Sequence, residues 1–422
     1  MSQRAMYTAI SGLQNQQVQM DIISNNIANS GTLGYKKGRT TFKETFAELL
    51  QGASRPPGSV GGVNPLQVGS GSSVGAIDNI MTQGSIQTTG NTTDMAIRGD
   101  GFFSVSDGQR NFFTRAGSFQ WDSEGRLVLS SSGMTVQGRI ANEEGQLDEG
   151  SVIGDVVVPF GTVIGARATT TVGFVGNLDT AAGAEGSYST SVVVYDSLGN
   201  AHTMTLQFAK NATTPNSWDW TASFPTPATI VSGGSGTITF DDQGALGAVT
   251  YTGGGTALTF NPQNGAETPV GVTLDFGTVG QTDGIGQFSG PSTVVAREQD
   301  GYSSGVLDSI SVDNTGTITA LFTNGTSRTA AQLMLATFNN PAGMLRVGEN
   351  VFDTSANSGM PIYGFAGTSI NSEIVSGAVE MSNVDIAEEF TNMIVAQRSF
   401  QANARTITTT DELLQETVNL KR

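Results

Sequence analysis

From Ile386 onward, apolar positions recur in alternating steps of four and three. Ile386, Phe390, Met393, Phe400, Ala404, Ile407, Leu414 and Val418 fall on one stripe, interrupted only by Gln397 and Asp411. No Pro or Gly follows Gly377, so the spacing predicts one long amphipathic helix. Ser382 or Asn383 is the expected cap. Asp385, Glu388 and Glu389 stand in the first turn, where the helix dipole favours negative charge, and Lys421 and Arg422 stand at the far end. The other terminus repeats the pattern: Met6, Ile10, Leu13, Met20 and Ile27 align, with Gln17 and Ser24 as the polar members. Two amphipathic helices thus bracket the chain. Their stripes are narrow, and their polar faces carry Gln, Asn and Thr rather than dense charge. That favours a coiled coil assembling with copies of itself over a helical hairpin laid on the body as a lid.

Between the helices the period changes. Ser30–Arg39 holds three Gly and reads as a loop anchored by Tyr35, with Lys36, Lys37 and Arg39 as a small basic cluster. The cluster is expected either to be solvated or to meet an acidic face of a neighbouring subunit. Phe42, Phe46, Leu49 and Leu50 suggest a short helix over Thr41–Gln51. Gly52–Gly75, rich in Gly, Ser and Pro and including Pro56-Pro57, reads as a linker or an extended arm.

From Ala76 alternation replaces the helical period, and short strands separated by tight turns are expected. One turn form recurs at Asp122, Asn142, Asp241 and Asp313: an acid or amide, two variable residues, Gly, one variable residue, then an aliphatic. The side chain can bond the turn backbone and Gly supplies positive φ, so each predicts a hairpin. None has the alternating carboxylates of an EF-hand loop. Gly161–Gly290 is a Thr-, Gly- and Val-rich tract with strand-like runs at 188–195, 202–208, 218–224, 236–240, 249–251 and 270–276. The earlier strand style returns from Thr293. The expected fold is therefore α+β: terminal helices forming a coiled coil, plus nested all-β domains, sandwich- or barrel-like, one inserted in the other. The expected divisions are a helical domain of residues 1–29 and 382–422, and an arm of 30–75 and 371–381. Inside these come a discontinuous inner β domain of 76–150 and 293–370 and an inserted outer one of 151–292.

Composition narrows the function classes. The chain has 422 residues, 55 of them Gly, no Cys, one His and a net charge of −17. That charge argues against nucleic acid as a partner. Without Cys there are no disulfides and no thiolate metal sites. Gly99-Asp-Gly101 lacks the third Gly and the following helix of a dinucleotide fingerprint. His202, the one His, has no partner that spacing identifies, and it reads as a strand or surface residue. No catalytic, metal or cofactor residues and no small-molecule substrate are expected. A structural or interaction protein is the positive reading. A secreted β-rich adhesin or carbohydrate-binding protein is the alternative from another class, and a hydrolase with paired carboxylates a third.

Four segments resemble the bacterial flagellar axial family of rod and hook proteins. They are Ser24-Asn-Asn-Ile-Ala-Asn29, Asp94-Met-Ala-Ile-Arg-Gly-Asp-Gly-Phe-Phe103, Phe113-Thr-Arg-Ala-Gly117, and Ser382-Asn-Val-Asp385 running on to Ala396-Gln-Arg-Ser-Phe-Gln-Ala-Asn403. The motif residues are Asn25, Asn26, Ala28, Asn29, Arg98, Gly99, Gly101, Phe102, Arg115 and Gly117. The large Gly161–Gly290 tract points to a hook-type member rather than a distal rod or hook–filament junction component. The resemblance implies a helical homopolymer, curved and flexible, that passes torque from rod to filament. It implies export through the flagellar type III machinery without a cleavable leader, and an extracellular place in the flagellum. The implied partners are copies of itself, rod and junction proteins, and a hook cap.

Overall fold

In a computed structural model, the described residues are 2–53, 63–142, 145–148, 150–158, 160–161, 163–183 and 186–419. Pro56-Pro57 and the Lys421–Arg422 end lie outside them. The chain divides into two compact units. Unit 1 comprises residues 1–159, 310–319 and 328–422; unit 2 comprises residues 160–309 and 320–327.

Unit 1 carries both helices, α1 (Ser2–Ala28) and α2 (Ile386–Asn419). The α2 cap is neither Ser382 nor Asn383. Asp385 Oδ1 accepts hydrogen bonds from the N–H of Ala387 (2.8 Å) and Glu388 (3.2 Å). Asn383 is drawn away by the loop beside it, donating to Ile80 O and accepting from Lys37 N–H. The helices pack antiparallel. Asn26 bonds Glu389, and Gly12 faces Asn403, so a fourteen-residue step forward along α1 matches the same step back along α2. No helix among the described residues is long and apolar enough to cross a membrane.

The segment after α1 forms strands, not the expected short helix. β1 (Gly38–Glu44) pairs with β4 (Ser72–Asn79), and β2 (Ala47–Gln51) with β3 (Leu66–Gly69). Residues 66–75, expected as linker, are thus part of a ribbon with 76–79, where strand was expected. Long-range pairing wins over the local apolar spacing of Phe42, Phe46 and Leu50, because those side chains find no packed helix partner and stay exposed. The ribbon lies along α1. Gly38 meets Ile22, Asn15 donates to Ser72 Oγ (2.7 Å), Gly71 meets Ser11 and Thr8, and Glu48 pairs with Arg4.

The β body of unit 1 is built on the strands Met95–Gly99, Phe102–Ser106 and Asn111–Thr114. Phe102–Ser106 has antiparallel neighbours at 111–114, 135–140 and 335–337. Val351–Asp353 extends the sheet beyond 111–114. Ser372–Ser376 pairs with Met95–Gly99, and Ala378–Glu380 with Ile86–Thr88. Edge-on rings of Phe102, Phe113, Phe338 and Phe352 fill one part of the core. Two sequence signals explain the geometry. At Gly117 a Cβ would stand 1.5 Å from Met95 O, so only Gly lets these segments touch. At Asp122, Asp241 and Asp313 the carboxylate accepts two turn N–H groups each, with Gly125, Gly244 and Gly316 at positive φ; Asn142 accepts from Gln146 N–H beside Gly145. These are the hairpins the recurring motif predicts. A fifth, at Asp196, has the same Asp-x-x-Gly form.

Unit 2 is a β-sandwich. A five-stranded antiparallel sheet (187–195, 201–210, 217–223, 235–240, 246–251) faces a six-stranded mixed sheet centred on Thr171–Asp179. Alternating inward residues make the core. Met204, Leu206, Phe208, Trp218, Trp220 and Ile238 come from one sheet, and Val172, Phe174, Leu258, Phe260 and Val272 from the other. The strands expected in this tract are present. Those at 171–179, 285–288 and 295–299, which carry Gly or charge, and the four-residue strands at 229–232 and 258–261 were not legible.

Candidate self-assembly surface and the neck beneath it

Three neighbouring stripes run along α1. Arg4, Thr8, Ser11, Asn15 and Ile22 face the ribbon. One position further on, Gly12 and Asn26 face α2, in line with buried Ala9 and Ile23. One position further again lie Met6, Ile10, Leu13, Met20 and Ile27. Of these Ile10 is exposed and the others are half-buried. On α2 the inward positions are a strict heptad, Glu389, Ala396, Asn403 and Thr410, again one residue before the apolar stripe. Met393, Phe400, Ala404, Ile407 and Leu414 flank that contact half-buried. Ile386, Phe390 and Val418 are exposed, as are Ile394, Val395 and Leu413. Apart from Ile23, small and polar residues therefore make the contact within the chain. The large apolar residues are left at its margins or outside it.

At the end of α1 the family motifs meet in a polar joint, here called the neck. Asn26, buried, bonds both backbone groups of Gly38 (Nδ2 to O, 2.8 Å; N–H to Oδ1, 2.9 Å) and donates to Glu389 (3.2 Å). Tyr35, buried as the loop anchor, donates to Asn26 Oδ1 (3.2 Å), and Asn25 Nδ2 lies 3.4 Å from its hydroxyl. Asn29 turns back to Asn25 O (2.9 Å), closing the helix end, while Ala28 is exposed. Arg346 stacks over the Tyr35 ring and bonds its hydroxyl and Lys36 O.

Lys36 is neither solvated nor free for a neighbour. It is 1 % exposed, and its Nζ lies 2.5 Å from Glu380 Oε1, itself fully buried. Glu380 also accepts from Gly84 N–H (2.8 Å) and, at 3.4 Å, from Arg115 Nη1; Arg115 Nη2 reaches Gly99 O (2.8 Å). Burial pushes the Lys36 ammonium below its usual range, against the attraction of Glu380. Lys37 pairs with Glu388 at 2.9 Å and Arg39 lies 3.9 Å from Asp78, both partners in the same unit. Gly34, at φ +67°, packs against the backbone of Arg115 and Ala116, where a Cβ would stand 2.5 Å from Ala116 N. Gly99 and Gly101 also take positive φ, and Phe102 lies under the Arg115 guanidinium at 5.2 Å. Arg98 is exposed and lies 3.6 Å from Glu373. The motifs thus form a buried polar joint in which the entry and exit of the β body are fastened to each other. Glu380 and Arg346 belong to it and were missed, while Asn383 and Glu389 belong to it but were read only as a cap candidate and a first-turn acid of α2.

His202 lies on the strand Ala201–Lys210, its Nε2 2.9 Å from buried Asp196 Oδ2. Among the described residues no group of three or more His, Asp or Glu could hold a metal ion.

Four family models match in order along the chain. They are the flagella basal body rod protein (6–36), the flagellar hook protein FlgE/F/G D1 domain (96–164), the flagellar basal body protein FlaE D2 domain (165–302) and the flagellar basal body rod FlgEFG protein C-terminal (375–420). The flagellar hook protein FlgE of Borreliella burgdorferi is 40% identical over 99% of both chains. That of Treponema pallidum is 38% identical over 99% of this chain and all of its own. The chain belongs to the flagellar hook protein family. The Salmonella typhimurium hook protein is 34% identical over 98% of this chain and 99% of its own. The crystal structure of Helicobacter pylori flagellar hook protein FlgE2 matches with a TM-score of 0.53 at 14% identity, over 68% of this chain and 98% of that one, a likeness of fold alone. As a hook-family chain it is a structural subunit of the flagellar hook, with terminal helices and a mostly β body. Membership carries self-polymerisation and association with other flagellar components.

Proposed function

We propose that copies of this chain join through the terminal helices into the curved, flexible tube that transmits torque from rod to filament. The observation that carries this reading is the apolar stripe of α1 and α2, displaced by one residue from the contact inside the chain. Ile10, Ile386, Phe390 and Val418 are exposed in a single copy, with Met6, Leu13, Met20, Ile27, Met393, Phe400, Ala404, Ile407 and Leu414 at its edge. Burial of such a stripe between copies supplies the driving force, and a contact between unlike surfaces, repeated without closure, gives a filament. In this reading residues 1–29 and 382–422 form the tube's helical layer, and the β domains lie outside it, with 151–292 outermost. The chain is exported unfolded through the type III machinery and assembles outside the cell under a cap, between rod and junction proteins. It performs no catalysis.

The test is electron microscopy of the full chain beside a chain lacking residues 407–422. Curved tubes from the full chain alone are expected. Tubes from the shortened chain would remove α2 from the assembly role. Straight, stiff tubes would move the assignment to a distal-rod component.

A further inference from the structure

We propose that the tube holds a second contact between copies: the back of α1 in one copy packs against the back of α2 in the next, with Asp21 seated between Arg398 and Arg405. This contact rests on the assembly reading above and lies outside the apolar stripe. The helices are poor in charge. α1 carries only Arg4 and Asp21, and the bases of α2 are Arg398 and Arg405. Other charges near the helix contact find partners inside the chain. Arg4 pairs with Glu48, Lys37 pairs with Glu388, and Glu389 accepts from Asn26. Asp21, Arg398 and Arg405 are exposed, and among the described residues their side chains make no ion pair or hydrogen bond.

Their placement explains why. With 3.6 residues per turn, Asp21 stands about half a turn round α1 from the line of Gly12, Ile23 and Asn26 that faces α2. Arg398 and Arg405 stand about half a turn round α2 from Glu389, Ala396 and Asn403, which face α1. The acid and the two bases thus lie on opposite outer sides of the helix pair, and the helices themselves separate them within one copy. A neighbouring copy brings them together. Copies laid side by side in the same sense set the α1 back of one against the α2 back of the next, and such a head-to-tail contact repeats without closing. Because α1 and α2 are antiparallel within the chain, the two backs also meet antiparallel. Arg398 and Arg405 are one heptad apart, about 10 Å along the axis, so a carboxylate midway lies within reach of both long side chains. Two α2 backs in register would oppose like charges, whereas the α1 back offers an acid alone. The charges set register and partner more than strength, since exposed ion pairs contribute little by themselves.

Charge reversal tests this in the full chain, with the critical concentration for tubes read by sedimentation and monomer helix content by circular dichroism. At low salt, Asp21→Arg is expected to raise the critical concentration roughly tenfold, because it sets like charges together at a contact. Arg398→Glu combined with Arg405→Glu should do the same. All three substitutions together should bring the value back to within about threefold of the unsubstituted chain, since the pairing is then restored with its signs exchanged. Raising NaCl to about 0.5 M should shrink both penalties. Monomer helix content should stay the same throughout, because all three positions are exposed. Unchanged assembly of Asp21→Arg overturns the proposal and leaves the assembly reading, which stands on the apolar stripe, intact. Loss of tubes without rescue in the triple variant overturns the pairing of Asp21 with these two arginines. Absence of tubes from the unsubstituted chain overturns the assembly reading, and this inference with it.

Discussion

At the scale of single residues, the neck is where charge decides stability. Glu380 is shared by two cations, so removing a cation and removing the carboxylate are not equivalent. Lys36→Met leaves an Arg115–Glu380 pair with matched charge. Glu380→Gln leaves two buried cations facing each other and is expected to cost about 3–5 kcal/mol, the range for stranding a buried charge. Urea unfolding of unit 1 in the full chain should rank Glu380→Gln well below Lys36→Met; the reverse order would mean the triad is not the keystone. In unit 2, Asp196 sets an acid limit. Burial pushes its carboxyl up, but hydrogen bonds from Asn264, His202 and Asn200 outweigh that and hold it at about 2. An unfolded Asp titrates near 4, so the folded state binds fewer protons between those values. The stability this gives is complete above about pH 4 and is lost as pH falls towards 2. Fluorescence of buried Trp218 and Trp220 should report it, and Asp196→Asn should flatten that acid slope. An unchanged slope would assign acid sensitivity to other groups.

At the scale of elements, the helix pair depends on a close approach. A Cβ on Gly12 would lie 2.6 Å from the Asn403 amide, and that amide ends a side chain able to swing aside. Gly12→Leu is expected to cost about 1–3 kcal/mol by overpacking the helix contact. Asn403→Ala should recover part of the loss, because it removes the group that clashes. Hydrogen exchange of α1 amides would read both; no recovery in the double variant would place Gly12 against something other than Asn403. The ribbon carries a different lesson. Residues 41–51 have apolar spacing that suits a helix, yet they pair with residues 66–79. Local spacing names an element only when the partner that buries it is itself local or strongly specified.

At the scale of the whole molecule, the exposed part of the stripe separates folding from assembly. Phe390 is half exposed in the single chain. Phe390→Asp should therefore leave monomer stability within about 0.5 kcal/mol, as for surface changes generally, while abolishing tubes. Phe400 is more covered, so Phe400→Asp should lower both helix stability and assembly. Sedimentation with circular dichroism distinguishes them. Normal tubes from Phe390→Asp would take that position out of the contact between copies.

Much was determined by the sequence alone. Period 3.6 at both ends marked two helices, and alternation broken by Asp-x-x-Gly turns marked the β body, because these signals depend on neighbours a few residues away. The motif residues pointed to one family although their physical purpose was not readable. Only the tertiary structure decided which helix face turns inward, since small residues such as Gly12, Ala9 and Ala396 permit the closest backbone approach even though the larger apolar residues lie one position further round. It also decided that Lys36 is buried. A lysine's burial depends on whether a carboxylate meets it, and Glu380 does so from 344 residues away, a distance along the chain that no local pattern spans.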